Sequence, residues 1–219
     1  FIMLFLAVFC GFLAEYQLEH TIEHQREKKY VKSLVADLKS DTSEIRAVIE
    51  FNIIKFHGLD TLASSLNKEL ISEEDEIQLY HLNRRYAVNI YTMIFNERTI
   101  RQLLSSGNLR LISSQNVSDS IIGYYGQAKD DIIGQERVYE EMSKRLIFFA
   151  EDIFNNSFSQ LKMNADSSFY QEPMQDKKAL ITRNKIVLMK YSQMILNTQG
   201  FLSRYLQLLF DMQSKSQNL

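Results

Sequence analysis

One unbroken apolar run, followed by apolar positions recurring at steps of three and four, organises this chain. Of the first fourteen residues thirteen are apolar and the other is Gly11; Glu15 then opens a densely charged stretch. No small-x-small cleavage pattern follows Ala14, and Glu15-Tyr16-Gln17-Leu18 reads as continuing helix. The run therefore predicts a transmembrane anchor over 1–16 rather than a removed signal peptide. Because residue 1 is Phe rather than Met, the visible run is expected to be a lower bound on the span. Bulky Phe9 ahead of Cys10 argues against lipid attachment at that cysteine. Residues 17–29 form a polar helical neck in which Leu18 and Ile22 are the one apolar pair. From Tyr30 a heptad-like seam follows: Val31, Val35, Leu38, Thr42, Ile45, Ile49, Asn52, Phe56, Leu59, Ala63 and Leu66. The seam keeps its phase past Ser40-Asp41-Thr42, which predicts one long helix and not a new one capped by Asp41.

"NKELISEEDEI" breaks the pattern, with Ser72 and Asp75 spaced as a capping pair and acidic residues crowding the next turn. A second helix is predicted from Glu73 to Ser105, with Tyr80, Arg84, Ala87, Tyr91 and Ile94 along one face. Gly107 is a natural left-handed stop. Ser113 or Ser114 would cap a third helix reaching about Asn155, carrying Ile121, Ile122, Tyr125, Ile132, Met142, Leu146 and Ile153. Residues 156–176, which hold the sole proline, are expected to be irregular. The fourth helix has Ile181, Leu188, Ile195, Leu202 and Leu209 every seven residues, complemented by Tyr191, Thr198, Tyr205 and Met212. The expected fold is all-α: an N-terminal transmembrane helix continuing into an elongated antiparallel four-helix bundle over 30–215, with the "SSGNLRLISS" turn returning near the bilayer.

Composition narrows the choice without changing it. With 7 glycines and 1 proline the chain lacks the turn residues that an α/β or all-β fold of 219 residues would use. A net charge of −2 gives no broad basic surface, so nucleic acid is not an expected partner. The single cysteine, Cys10, excludes a disulfide within the chain.

Two stretches carry a resemblance. Tyr30, Ser33, Leu34, Asp37, Leu38 and Asp41 match a "Y-x-x-S-L-x-x-D-L-x-x-D" pattern. Ser105, Ser106, Gly107, Asn108, Leu109, Arg110, Leu111 and Ile112 match an "S-S-G-N-L-R-L-I" turn, with the pair Tyr124 and Tyr125 after it. In these the chain resembles, over roughly residues 1–125, a bacterial family of single-pass membrane proteins with a domain of unknown function. The resemblance implies placement rather than activity: a bacterial inner membrane, with the helical part periplasmic. Arg26, Lys28, Lys29 and Lys32, close to the membrane exit, argue for the cytoplasmic side instead.

Motifs of chemistry are sparse. His20 and His24, i and i+4 beside Glu19 and Glu23, have the spacing of paired zinc ligands, but one helix alone supplies too few ligands, and a solvated polar neck is the favoured reading. No Glu-x-x-His occurs, which excludes a ferritin-like di-iron centre, and no phosphate loop or nucleophile motif is present. No metal, cofactor or catalytic residue is expected. Ser106, Gly107, Asn108 and Arg110, with Tyr124 and Tyr125, form a candidate membrane-proximal interaction turn. There Arg110 would hold a lipid headgroup, an anion or a partner loop, although capping the carbonyls that end helix two is its favoured role. The expected function is structural or protein-interacting: a membrane-anchored protein whose partners are the lipid bilayer and either further copies of itself or a larger membrane complex. The alternative is a sensory domain in which Arg84, Arg85 or Arg110 holds a ligand carboxylate.

Overall fold

The computed structural model describes residues 1–69, 71–165, 168–174 and 177–217. It is all-α apart from one small hairpin. Its elements are α1 (Ile2–Leu66), α2 (Glu73–Leu82), α3 (Arg98–Ser105), α4 (Gln115–Gly123), α5 (Lys129–Ala150), β1 (Ser159–Met163), β2 (Phe169–Pro173) and α6 (Lys185–Gln217). The chain divides into two compact units. Unit 1 comprises Phe1–Arg46, Met93–Asp130 and Asp211–Leu219, and unit 2 comprises Ala47–Thr92 and Asp131–Phe210.

Helix α1 is continuous past Asp41, as its seam predicts. Its predicted seam is buried from Ile45 onward, at Ile45, Ile49, Asn52, Leu59, Ala63 and Leu66, but before Ile45 the buried stripe is displaced from the predicted one. Leu34, Asp37, Asp41, Ile45, Val48, Asn52 and Lys55 are buried, whereas Val31 and Val35 are exposed. The predicted seam allows neutral Thr42 and Asn52 but no charge, whereas three of the seven buried side chains just named, Asp37, Asp41 and Lys55, are charged. Each of these polar groups meets backbone that the helices leave unpaired, which offsets part of the cost of burying it.

That backbone belongs to the predicted second helix, which is not one helix. The Ser72–Asp75 capping box forms as expected: Asp75 N donates to Ser72 Oγ at 3.1 Å and Ser72 N to Asp75 Oδ2 at 3.0 Å. The helix then widens into a π-turn over Asn83–Ala87 and stops, and residues 88–97 are non-helical until α3 begins. Asn89 Nδ2 donates to the Arg85 carbonyl at 3.0 Å, capping the turn. In unit 2, Lys55 Nζ donates to the Asn89 carbonyl and Asn52 Nδ2 to the Tyr91 carbonyl at 2.9 Å. These bonds replace the intrahelical ones. Ile94, placed by sequence on a helix face with Tyr80 and Ala87, is 74% exposed while those two are buried.

The third predicted helix is interrupted rather than uniform. Ser114 occupies the N-cap of α4 without a side-chain capping bond. A π-turn over Tyr124–Ala128 then intervenes, with Gly126 outside helical geometry (φ −95°, ψ −106°), and α5 ends at Ala150, short of Asn155. The expected irregular stretch 156–176 instead contains the antiparallel pair β1 and β2, in register from Ser159↔Pro173 to Met163↔Phe169; its residues 166–167 and 175–176 lie outside the described ones. Tyr80 ties the hairpin to α2, its hydroxyl 2.7 Å from Ser159 Oγ.

Helix α6 follows its predicted seam closely: Leu188, Tyr191, Ile195, Thr198, Leu202, Tyr205, Leu209 and Met212 are all buried. Ile181 is the exception; it precedes the helix and is 63% exposed. Tyr191 donates to Asn83 Oδ1 at 2.5 Å, and Gln199 Nε2 to the Phe56 carbonyl at 2.9 Å, fixing α6 on α1 and the π-turn within unit 2.

Candidate functional site

Unit 1 holds two arrangements built from the same face of α1. Tyr30, Leu34, Asp37 and Asp41 follow one another at steps of four, three and four, which aligns them along one stripe. Against that stripe lies the chain from Met93 to Asp130.

The deeper arrangement is centred on two aspartates. Asp37 Oδ2 accepts from Thr99 N at 3.1 Å, at the start of α3, where Glu97 in the N-cap position gives no side-chain cap. Asp37 therefore caps α3 from another helix, and its charge suits the positive end of that helix. Asp41 Oδ1 accepts from Asn96 N at 2.8 Å. Its other oxygen, Asp41 Oδ2, and the hydroxyls of Tyr124 and Tyr125 are buried together; the hydroxyls act on the carboxyl without reaching the geometry of a well-formed hydrogen bond. Asp41 is 1% exposed, Tyr124 2% and Tyr125 7%. The two rings meet edge to face, with centroids 4.9 Å apart. Consecutive residues of a regular α-helix point about 100° apart; here the wider π-turn beginning at Tyr124 accompanies the burial of both rings.

Burial pushes the Asp41 carboxyl up to about 6. The Asn96 N–H opposes this, the charge of Asp37 adds to it, and the two tyrosine hydroxyls oppose it again. Burial and the neighbouring Asp41 charge likewise push both phenols well above their ordinary range. The arrangement thus holds a carboxyl that gains or loses its proton slightly below neutrality, beside two phenols that stay protonated.

The second arrangement joins the turn after α3 to the neck of α1. Ser106 Oγ donates to the Gln102 carbonyl at 2.7 Å, Gly107 takes φ 67°, and a single 3-10 turn covers Asn108–Leu111. Ser106, not Arg110, therefore satisfies a carbonyl at the end of α3. Arg110 Nη2 lies instead 3.9 Å from Glu23, an exposed pair of small energetic weight. Asn108 Nδ2 donates to Tyr30 Oη at 3.0 Å. Ser113 N and Oγ both donate to Glu27 Oε1 at 2.6 Å, and these bonds hold the Glu27 carboxyl below the usual carboxylate range.

The sequence-predicted residues thus separate. Ser106, Gly107, Asn108 and Arg110 stay together in the turn on the neck, whereas Tyr124 and Tyr125 are buried beside Asp41 rather than presented to a partner. The paired histidines of the neck are occupied locally: His20 Nε2 lies 2.8 Å from Tyr16 Oη and His24 Nδ1 3.3 Å from Glu27. Among the described residues no three His, Cys, Asp or Glu side chains are grouped to hold a metal ion. Arg85 lies over the Tyr86 ring at 5.3 Å. Sequence reasoning missed the burial of Asp37 and Asp41; a stripe drawn through Tyr30 and Leu34 rather than Val31 and Val35 runs through both. No family model, curated protein or solved structure matches the chain.

Proposed function

We propose that this is a membrane-anchored helical protein with a structural or protein-interaction role, self-assembling or accessory to a larger membrane complex, and without catalysis. Its helical part is placed on the periplasmic face of a bacterial inner membrane. One observation carries the reading: every large apolar side chain from Phe1 to Leu13 is exposed, at the start of α1, the one helix long and apolar enough to cross a membrane among the described residues. Those ten side chains represent roughly 15–30 kcal/mol of transfer free energy at about 1.5–3 kcal/mol each, and nothing among the described residues covers them. Lipid is the solvent that matches them. The assembly role draws support from α6, where Ile186, Met189, Leu196 and Phe210 are exposed at helical spacing within unit 2.

Mass measurement on the detergent-solubilised full chain tests the reading. A defined multiple of the protomer mass supports self-assembly, and a constant set of co-purifying chains supports an accessory subunit. A protein recovered as a monomer from the aqueous fraction, with no detergent, contradicts it.

A further inference from the structure

We infer that unit 1 carries a binding site for a phosphoryl group, in the recess between the neck of α1 and the turn that ends α3. The recess is a cavity of about 450 Å³ lined by Arg26, Lys29, Tyr30, Ser33, Gln102 and Asn108. All six side chains can donate hydrogen bonds, none is acidic, and two are cations.

What singles the recess out is the disposition of charge around it. The neck is as acidic as it is basic, yet two of its three carboxylates are engaged elsewhere: Glu23 faces Arg110 and Glu27 is held by Ser113. Arg26 and Lys29 are left at the rim with no carboxylate in ion-pair range among the described residues. The floor is prepared in the same sense. Tyr30 Oη accepts from Asn108 Nδ2 at 3.0 Å, which leaves its own proton to donate, and Ser33 lies one turn further along the same face. Two cations with neutral donors between them match a dianion with several terminal oxygens better than a single carboxylate. Arg26 supplies a planar fork and Lys29 a mobile point charge, the usual division of labour around phosphate.

Arg26 follows Tyr16 by ten residues, about 15 Å along the helix axis, while the polar layer of a bilayer extends about 5–7 Å past the hydrocarbon. A tilted α1 or a phosphorylated headgroup that stands above the surface brings lipid phosphate to the recess; a free phosphoryl compound reaches it directly. The chemistry is common to both sources.

The test uses the full chain in nanodiscs and reads the acylation rate of Lys29 by an amine-reactive ester, with exposed Lys32 as the internal reference. One arm adds inorganic phosphate to discs of neutral phosphatidylcholine; the other incorporates phosphatidic acid without free phosphate. Protection of Lys29 by about tenfold relative to Lys32 is expected in at least one arm, the scale of losing one charge-assisted contact. Protection in the first arm assigns a soluble source, and protection confined to the second assigns a lipid. Arg26→Gln, at an exposed position, should abolish the protection while leaving the helical circular dichroism unchanged, and Ser33→Ala should weaken it. Equal rates at Lys29 and Lys32 in both arms, or the same protection from acetate at matched ionic strength, overturn the site.

Discussion

A carboxylate among aromatic rings carries its charge at a cost, and Asp41 shows that cost directly. Its carboxyl titrates at about 6 in the fold against 3.8 as an unperturbed side chain, so the folded state holds the proton more tightly than the unfolded one. Stability should therefore fall as pH rises through that window and stay low above it. Asp41→Asn keeps an acceptor for Asn96 N and turns an amide donor toward the two hydroxyls, without any charge. The variant should match the parent at the acid end of the window and exceed it at pH 7 by on the order of 1–3 kcal/mol, read by denaturant unfolding in mild detergent. Equal pH slopes for the two proteins would show that Asp41 is not the titrating group. Lys55 makes the complementary case in unit 2. Burial brings its ammonium down to about 8 from 10.5, and it donates to the Asn89 carbonyl with the Tyr139 ring 5.2 Å away. Here the unfolded state binds the proton more tightly, so the penalty is complete below about 8 and fades toward 10.5. Lys55→Met should gain on the order of 3 kcal/mol from removal of that penalty, offset by about 1 kcal/mol for the lost hydrogen bond. The gain should vanish as pH climbs through the window. None of this was legible in the sequence, because an apolar-seam reading treats a buried charge as a solvent-facing position.

At the scale of elements, the sequence showed where helices start more readily than where they fail. The Ser72–Asp75 box, the left-handed Gly107 and the α6 seam were each readable from a few local residues. The break at 88–97 depends on partners far away in the chain: Asn52 and Lys55 take the Tyr91 and Asn89 carbonyls, while Asp41 and Asp37 take the Asn96 and Thr99 amides. A helix of 73–105 would satisfy its own backbone but take from those four side chains the backbone partners they have here. Their demand outweighs helix propensity, and Val88, Ile90 and Thr92, β-branched at alternate positions, put up little resistance. The hairpin over β1 and β2 escaped for a similar reason, since its pairing joins residues that look like a polar loop one at a time. The same contrast between local and tertiary control predicts opposite signs for two glycines inside helices. Around Gly134 in α5 nothing lies within 4 Å of an added Cβ, so Gly134→Ala should raise stability by about 0.5–1 kcal/mol. At Gly58 in α1 the new Cβ would fall on the base of the Tyr86 ring, which cannot swing away as a flexible tip would. Gly58→Ala should destabilise by about 1–3 kcal/mol despite its better helix propensity. Thermal melts of the two variants check this; two shifts of the same sign would contradict the close approach of Tyr86 to α1.

For the molecule as a whole, the deciding comparison is between what α1 shows to its surroundings before and after Glu15. Beyond the neck most of its large apolar residues are buried or half-buried, with Val31, Val35 and Ile54 the exposed ones; before it, none is covered. Stability of the folded units does not depend on that segment being covered, because its side chains make no core. Its location does depend on it. A lysine near the middle of a spanning helix costs about 2.5–3.5 kcal/mol in apparent insertion free energy, and two cost about twice that. Phe5→Lys with Phe9→Lys, both on exposed positions of α1, should therefore abolish insertion while leaving the packing of either unit untouched. The parent should stay in the membrane pellet through alkaline carbonate extraction and the double variant should move to the supernatant, with helical circular dichroism retained. If the double variant remained in the pellet and needed detergent for release, the apolar run would not be what holds the protein there. If it became soluble but lost its fold, the run would be packing against protein, and α1 would have to find its cover in another chain rather than in lipid.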